Sequence, residues 1–201
     1  MISTEAEFFT QCYRVCETLE NGDEQVGGAS LGKHYGVKCT SCDYSVSVKE
    51  GVGMMYSPHA VFYGYCSDES QNWSIAFPDG LCEPGRPLLE DLVRSKDTKE
   101  RAFSLLEAGA IPTDDYGHEL YVCRKCHHLF NRFYFRIQAE DEEYEPDYRC
   151  SHCKALVERA DLKSDHETLW VVYKNNKDAN WHCPQCGNER LQYDGAMLLW
   201  D

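Results

Sequence analysis

The sequence predicts an α+β protein: short β-hairpins carried on cysteine knuckles, an N-terminal helix, and an inserted helical segment. Three observations predict it. Four C-x-x-C pairs recur along the 201 residues, each preceded by a strand-like or aromatic run (VKC, YVC, YRC, WHC). Residues 4–20 carry apolar side chains at helical spacing, and the 80 residues between the first and second pairs (123 − 42 − 1) hold helical patterns instead of knuckles.

The elements follow in chain order. Thr4 and Glu7 have capping-box spacing, Phe8, Cys12, Val15, Cys16 and Leu19 recur every three or four residues, and Asn21-Gly22 ends the pattern. After the turn GGASLG, VKCTSCDYSVSV reads as strand, knuckle and strand, with polar and apolar residues alternating from Tyr44 to Val48. From Glu50 to Leu120 come GVGMMYSPHAVFYGYC, the loop DGLCEPGRP and two short helical patterns. The second spans Thr98 to Ala108, with Asp97 and Glu100 at capping-box spacing and Gly109 and Pro112 as its stop. Beyond Tyr121 the chain alternates knuckles and strands: YVCRKCHHLFNRFYFRI, YRCSHCKALVERADL, LWVVYK, WHCPQCG and LQYDGAMLLWD. Glu140, Asp141, Glu142, Glu143, Glu145 and Asp147 crowd beside a proline, which predicts a solvated loop or hairpin tip. A domain boundary is expected there, between a ribbon with its N-terminal helix and insert (1–138) and a C-terminal ribbon (139–201).

Composition narrows the function. Hydrophobic content of 42% supports a packed core. MISTEAEFFTQCYR carries acids where a secretory signal has basic residues, and no apolar run reaches bilayer-spanning length, so a cytoplasmic, membrane-free protein is expected. In a reducing compartment its 12 cysteines are explained by metal binding or burial rather than disulfides. The formal net charge of -14 opposes contact with phosphate backbones and favours basic protein surfaces.

The knuckles carry the chemistry. Two residues between cysteines let one tight turn aim both sulfurs at a single ion, and two such turns complete a tetrahedral zinc site. The predicted ligands are Cys39, Cys42, Cys123, Cys126, Cys150, Cys153, Cys183 and Cys186, holding two Zn²⁺ ions per chain. A redox dithiol would call for one pair in a βαβ setting. CPQCG also matches an iron-binding knuckle, but electron transfer needs only one site, so zinc is preferred. Gly187 suits the left-handed residue that such turns require, whereas Asp43, His127 and Lys154 stand at the equivalent positions of the other three. Sequential pairing is preferred, Cys39/Cys42 with Cys123/Cys126 and Cys150/Cys153 with Cys183/Cys186. The nested alternative joins the middle two knuckles and the outer two, and loop-closure entropy barely separates the options.

The order CTSC, GVGMMYSP, YVCRKC, WHCPQCG and the tail MLLWD resembles a group of poorly characterised bacterial zinc-ribbon proteins with several C-x-x-C knuckles and a GxGMxY-like turn. The chain departs from that group at residues 43 and 127, where glycine is usual. The resemblance implies zinc-ribbon β-hairpins and carries no activity with it.

The remaining cysteines and histidines are read as structural. Cys12 and Cys16 lie on the apolar stripe of the first helix. Cys66 and Cys82, with His59 nearby in sequence, admit a third metal site as an alternative but fit no recognised metal spacing, and His127, His128, His152 and His182 adjoin knuckles that already supply eight sulfurs. Closed thiolate sites are chemically quiet, and no phosphate-binding loop, dinucleotide-binding glycine pattern or serine nucleophile elbow is evident. A non-enzymatic protein-interaction module (adaptor, inhibitor or immunity-like) with structural four-cysteine zinc sites is therefore expected, its partner another protein with a basic surface. The alternative is nucleic-acid binding through residues 121–138, where Arg124, Lys125, Arg132 and Arg136 stand among aromatics without an acid. An enzyme centred on the insert has no motif behind it.

Overall fold

Runs rich in apolar residues flank the knuckles, and in the computed structural model a strand follows each of the four while strands lead into the first two. The structure describes residues 32–53, 56, 58–64, 87–140, 142–165, 168–175 and 180–200. The strands are β1 (Gly32–Cys39), β2 (Ser45–Glu50), β3 (Ile111–Pro112), β4 (Gly117–Cys123), β5 (Leu129–Tyr134), β6 (Ile137–Gln138), β7 (Glu143–Tyr144), β8 (Val157–Asp165), β9 (Thr168–Tyr173) and β10 (Leu191–Trp200). The insert supplies a π-helical turn (His59–Tyr63) and two α-helices, α1 (Leu89–Leu92) and α2 (Lys96–Glu107). Helix α2 starts two residues before the predicted Thr98. Ser95 is its cap, accepting from the Thr98 N–H at 3.3 Å, and Thr98, Ala102 and Leu105 face the core at helical spacing. Gly109, with φ of 91°, stops it as expected.

Seven strands form one antiparallel sheet in the order β2-β1-β10-β9-β8-β4-β5. Its two edges turn toward each other. Gly51, just past β2, exchanges both backbone hydrogen bonds with His118 of β4 (3.0 and 2.9 Å), and the Asn131 side chain of β5 donates to the Lys49 carbonyl at 2.5 Å. Gly117 permits this approach, since a Cβ there would lie 3.2 Å from the backbone of Gly51. The small sheet β3-β6-β7 sits beside the insert, and Glu140 and Glu142 of the acidic run lie at the tip of its β6–β7 hairpin, with Glu143 on β7 and Glu145 and Asp147 beyond it.

The expected fold class needs correction. Among the described residues the structure is mostly β, 46% strand against 16% helix, with a nearly closed barrel-like antiparallel sheet. It is not an α+β set of separate zinc-ribbon hairpins, although the insert does supply helices. The physical reason lies in the outer edges of the knuckle hairpins. Each would expose unpaired backbone groups if left as a two-stranded ribbon, and instead β1 pairs with β10 and β4 with β8. The strands on either side of the acidic run thus share one sheet. The predicted N-terminal helix over residues 4–20 lies outside the described residues.

Two cores result. All seven barrel strands contribute to the interior one, which includes Tyr35, Val37, Val48, Leu120, Val122, Leu129, Ala160, Leu169, Tyr173 and Leu191. The second lies between β4, β5 and the insert, where Tyr121, Phe130, Phe133, Phe135 and Ile137 meet Val61, Phe62, Leu89, Val93, Ala102 and Leu105. Leu89, Phe135 and Ile137 are fully buried, each side chain contributing roughly 2 kcal/mol on transfer from water. Strand β4 is therefore covered on both faces, and Cys123, its last residue, is carried into the second core.

Candidate metal centre

The eight predicted cysteines gather into two groups of four, Cys39/Cys42/Cys183/Cys186 and Cys123/Cys126/Cys150/Cys153, with the sulfurs of each group within 4.8 Å of one another. The pairing is nested, outer knuckles together and middle knuckles together, which corrects the sequential preference. Sheet topology decides it. The β1–β10 ladder sets Cys39 opposite Leu191, bringing the last knuckle to the first, and the β4–β8 ladder sets Cys123 opposite Val157, bringing the third to the second.

The closest Sγ–Sγ separations are 3.5 Å (Cys39–Cys186), 3.6 Å (Cys42–Cys183), 3.3 Å (Cys123–Cys153) and 3.4 Å (Cys126–Cys150). A disulfide would bring sulfurs to about 2.05 Å, whereas a tetrahedron with metal–sulfur bonds of about 2.3 Å has edges near ~3.8 Å. All eight are free thiols at the second kind of spacing. The donor sets fit a tetrahedral ion that prefers soft ligands, with no oxygen or nitrogen ligand required.

A common backbone device shapes all four knuckles. The N–H of the first cysteine donates to the carbonyl five residues on: Cys39 to Tyr44 (2.8 Å), Cys123 to His128 (3.0 Å), Cys150 to Ala155 (2.8 Å) and Cys183 to Asn188 (2.7 Å). The second cysteine of each pair accepts from the N–H two residues later, at Tyr44, His128, Ala155 and Asn188. Such donors favour thiolate over thiol, and metal binding requires the thiolate. At Cys153 the Ala155 N–H leads in lowering the thiol to about 7. At Cys39 burial opposes ionisation, but donors including the Ser41 N–H and the Asn188 amide bring it down to about 6. Four crowded sulfurs cannot all ionise without a cation, and burial together with the neighbouring sulfurs pushes Cys126 up to about 12.

Gly187 adopts the left-handed conformation predicted for it (φ 78°), and His127 (φ 58°) and Lys154 (φ 64°) adopt it as well. In these three knuckles the N–H of that residue returns to the carbonyl of the first cysteine, at 2.8–3.0 Å. Asp43 does not take a positive φ, so the first knuckle differs in shape. The residue type best suited to the strained position after glycine is thus the one that avoids it.

The two centres are rooted in different cores. Cys39 and Cys183 belong to the barrel interior, Cys123 and Cys150 to the layer beneath the insert, and each is at most 3% exposed. The second sulfur of each knuckle lies nearer solvent. Side chains from all four knuckles meet between the centres. The Trp181 indole donates to the His127 carbonyl at 2.6 Å, the Tyr44 hydroxyl accepts from the Leu129 N–H at 3.0 Å, and His128 stacks on His152 with ring centroids 3.7 Å apart. Sequence reasoning placed these histidines beside the sites but missed the roles of Trp181, Tyr44 and Asn188. Their only signal was an aromatic or polar residue next to a knuckle. Cys12, Cys16, Cys66, Cys82 and the His59 side chain lie outside the described residues.

The alternative basic set is largely engaged within the chain. Arg124 pairs with Glu158 at 2.6 Å and lies over the Tyr173 ring, while Arg132 lies over Phe130. Arg136 pairs with Asp115, Glu143 and Glu145 at 3.4, 3.0 and 2.7 Å, and Lys125 is exposed. A concavity of about 630 Å³ is lined by Asp114, Asp115, Glu119, Asp161, Lys163 and Lys174 among others. Many of those charges pair internally, Lys174 with Glu119 and Asp161. No described helix is long and apolar enough to cross a membrane.

No protein-family model matches the chain, and no curated protein or solved structure is significantly similar to it. The resemblance to bacterial zinc-ribbon proteins therefore rests on the two four-cysteine clusters, which are zinc-ribbon-like, and not on a shown family.

Proposed function

We propose that this protein is a non-enzymatic interaction module whose two four-cysteine centres hold structural Zn²⁺ ions, and that it docks onto another protein. One observation carries the reading: each centre offers four sulfurs, two of them rooted in a hydrophobic core, and a four-sulfur set leaves no coordination position for water or substrate. A catalytic zinc keeps such a position open. When bound, the ions supply scaffold rather than reagent, tying β1 to β10 and β4 to β8 at the knuckle end of the barrel. The formal charge of -14 supports a partner with a basic face, since charge complementarity speeds and orients encounter.

The nucleic-acid reading draws support from Lys125 and the aromatics around it, and the ion pairs of Arg124 and Arg136 weigh against it. Retention on immobilised single-stranded DNA at low salt separates the two. The proposal expects elution with the void volume, unchanged in Arg124→Glu/Arg132→Glu. Retention that the double substitution abolishes would establish the basic stretch as a nucleic-acid surface instead.

A further inference from the structure

Asn188 touches three of the four ligand residues of the outer centre. Its carbonyl accepts from the Cys183 N–H at 2.7 Å, its N–H donates to the Cys186 sulfur, and its side-chain amide reaches across to donate to the Cys39 sulfur at 3.7 Å. The same amide nitrogen lies 2.6 Å from the Thr40 hydroxyl and 3.2 Å from the Arg190 carbonyl, which also accepts from the Thr40 N–H at 3.2 Å. A carbonyl and a thiolate only accept, so the nitrogen of the amide and not its oxygen faces them. One side chain thus joins the last knuckle to the first.

The middle centre is built differently. Ala155 holds the position of Asn188 in the third knuckle and offers no side-chain donor. His128 holds it in the second, where its Nδ1 lies 3.2 Å from the Cys126 carbonyl and its ring stacks on His152. The outer centre also faces the harder task. It joins cysteines 147 residues apart against 30 in the middle centre, and its Cys186 is exposed, whereas each middle cysteine is buried or half-buried. Its ion therefore has the shorter path to solvent.

Four thiolates around Zn²⁺ carry a formal −2 (2 − 4), and each N–H aimed at a sulfur offsets part of that charge. We propose that Asn188 is the positioning residue of the outer centre: its amide holds Cys39 against Cys186, stabilises the Cys39 thiolate and retards loss of the ion. This role presupposes that the four-sulfur groups hold zinc, and it leaves the middle centre as an internal control.

Asn188→Asp tests it, since the two side chains are nearly the same size, the backbone bonds to Cys183 and Cys186 remain, and the donor becomes a negatively charged acceptor. Zinc-isotope exchange in the full-length, zinc-saturated chain, counted by native mass spectrometry, keeps both centres loaded throughout. In Asn188→Asp one of the two ions should exchange at least about tenfold faster than in the wild type, and the other at the wild-type rate. Asn188→Ala should act in the same sense with a smaller effect. Cadmium-113 NMR of the cadmium-saturated chain assigns the centre: the resonance coupled to the Cys39 β-protons should shift, while the one coupled to the Cys123 β-protons stays in place and checks that the fold survives. Thr40→Val removes a competing acceptor but leaves the sulfur contact, so its exchange should remain close to the wild-type rate. Unchanged exchange in Asn188→Asp, both ions accelerated together, or a Thr40→Val as fast as Asn188→Ala would overturn the role of the amide. A wild-type chain that binds no zinc would overturn the zinc reading, and the role of Asn188 with it.

Discussion

The left-handed residue after each knuckle gives a test in which sign matters more than size. Gly187 has φ of 78°, and a Cβ built on it meets nothing within 4 Å, so Gly187→Ala introduces backbone strain without a clash. Placing a side chain in that conformation costs about 1–2 kcal/mol, and the lost chain freedom of the unfolded state returns about 0.4–1 kcal/mol. The net expectation is a destabilisation of about 1 kcal/mol. Lys154, at φ of 64°, runs the comparison backwards. Lys154→Gly relieves the strain, loses a solvent-exposed bond from Nζ to the Ser151 carbonyl, and should stabilise by about 0.5 kcal/mol. Asp43 lacks the positive φ, so Asp43→Gly gains no relief and should destabilise by about 0.5–1 kcal/mol. Urea unfolding with metal present reads all three variants at one ionic strength. Because the strain exists only while the knuckle is formed, the first two changes should also shift metal affinity in the same sense, about fivefold per kcal/mol. A neutral Gly187→Ala, or a Lys154→Gly that destabilises, would refute the conformational account of the knuckles.

Two other perturbations probe the barrel. Glu119 receives Arg159 at 2.5 Å and Lys174 at 3.0 Å, with the Glu119 and Arg159 side chains 18% and 19% exposed. Glu119→Leu leaves two cations facing each other and should cost about 2–3 kcal/mol in urea unfolding, while Glu119→Leu/Arg159→Leu should cost less than the single change. His118 is held neutral by burial, next by Lys49, with its pKa lowered from 6.5 to about 4. A depressed folded value means its contribution is complete above pH 6.5 and is lost as pH falls toward 4, at most about 3 kcal/mol. His118→Gln should therefore flatten the pH dependence of stability in that window, and the difference between variant and wild type cancels acid release of metal from the cysteines.

The metal sites were legible because the chemistry of a tetrahedral thiolate ion imposes a local spacing, and C-x-x-C is that spacing. Their pairing was not, because it is set by strand order, and nothing in VKC or WHC states that β1 will lie beside β10. Gly187 was readable as a left-handed residue from its type alone, whereas His127 and Lys154 take that conformation because the carbonyl of the knuckle's first cysteine and the strand leaving the knuckle demand it. The barrel escaped for a similar reason. Alternation in SVSV or LWVVY marks a half-buried strand equally well in a ribbon or a barrel, and closure depends on distant contacts such as Gly51 with His118. The cap of α2 moved from Asp97 to Ser95 because both residue types accept from N–H groups and only tertiary packing of Thr98, Ala102 and Leu105 fixes the helix phase.

Native mass spectrometry during titration with a chelator addresses the scaffold role of the metal in a single spectrum, since mass counts bound ions and charge state reports compactness. Two zinc ions should accompany every compact, low-charge chain, and stripped chains should appear in the highly charged, unfolded envelope. A metal-free chain that keeps the compact envelope, or compact chains carrying one ion or none at saturating zinc, would contradict it.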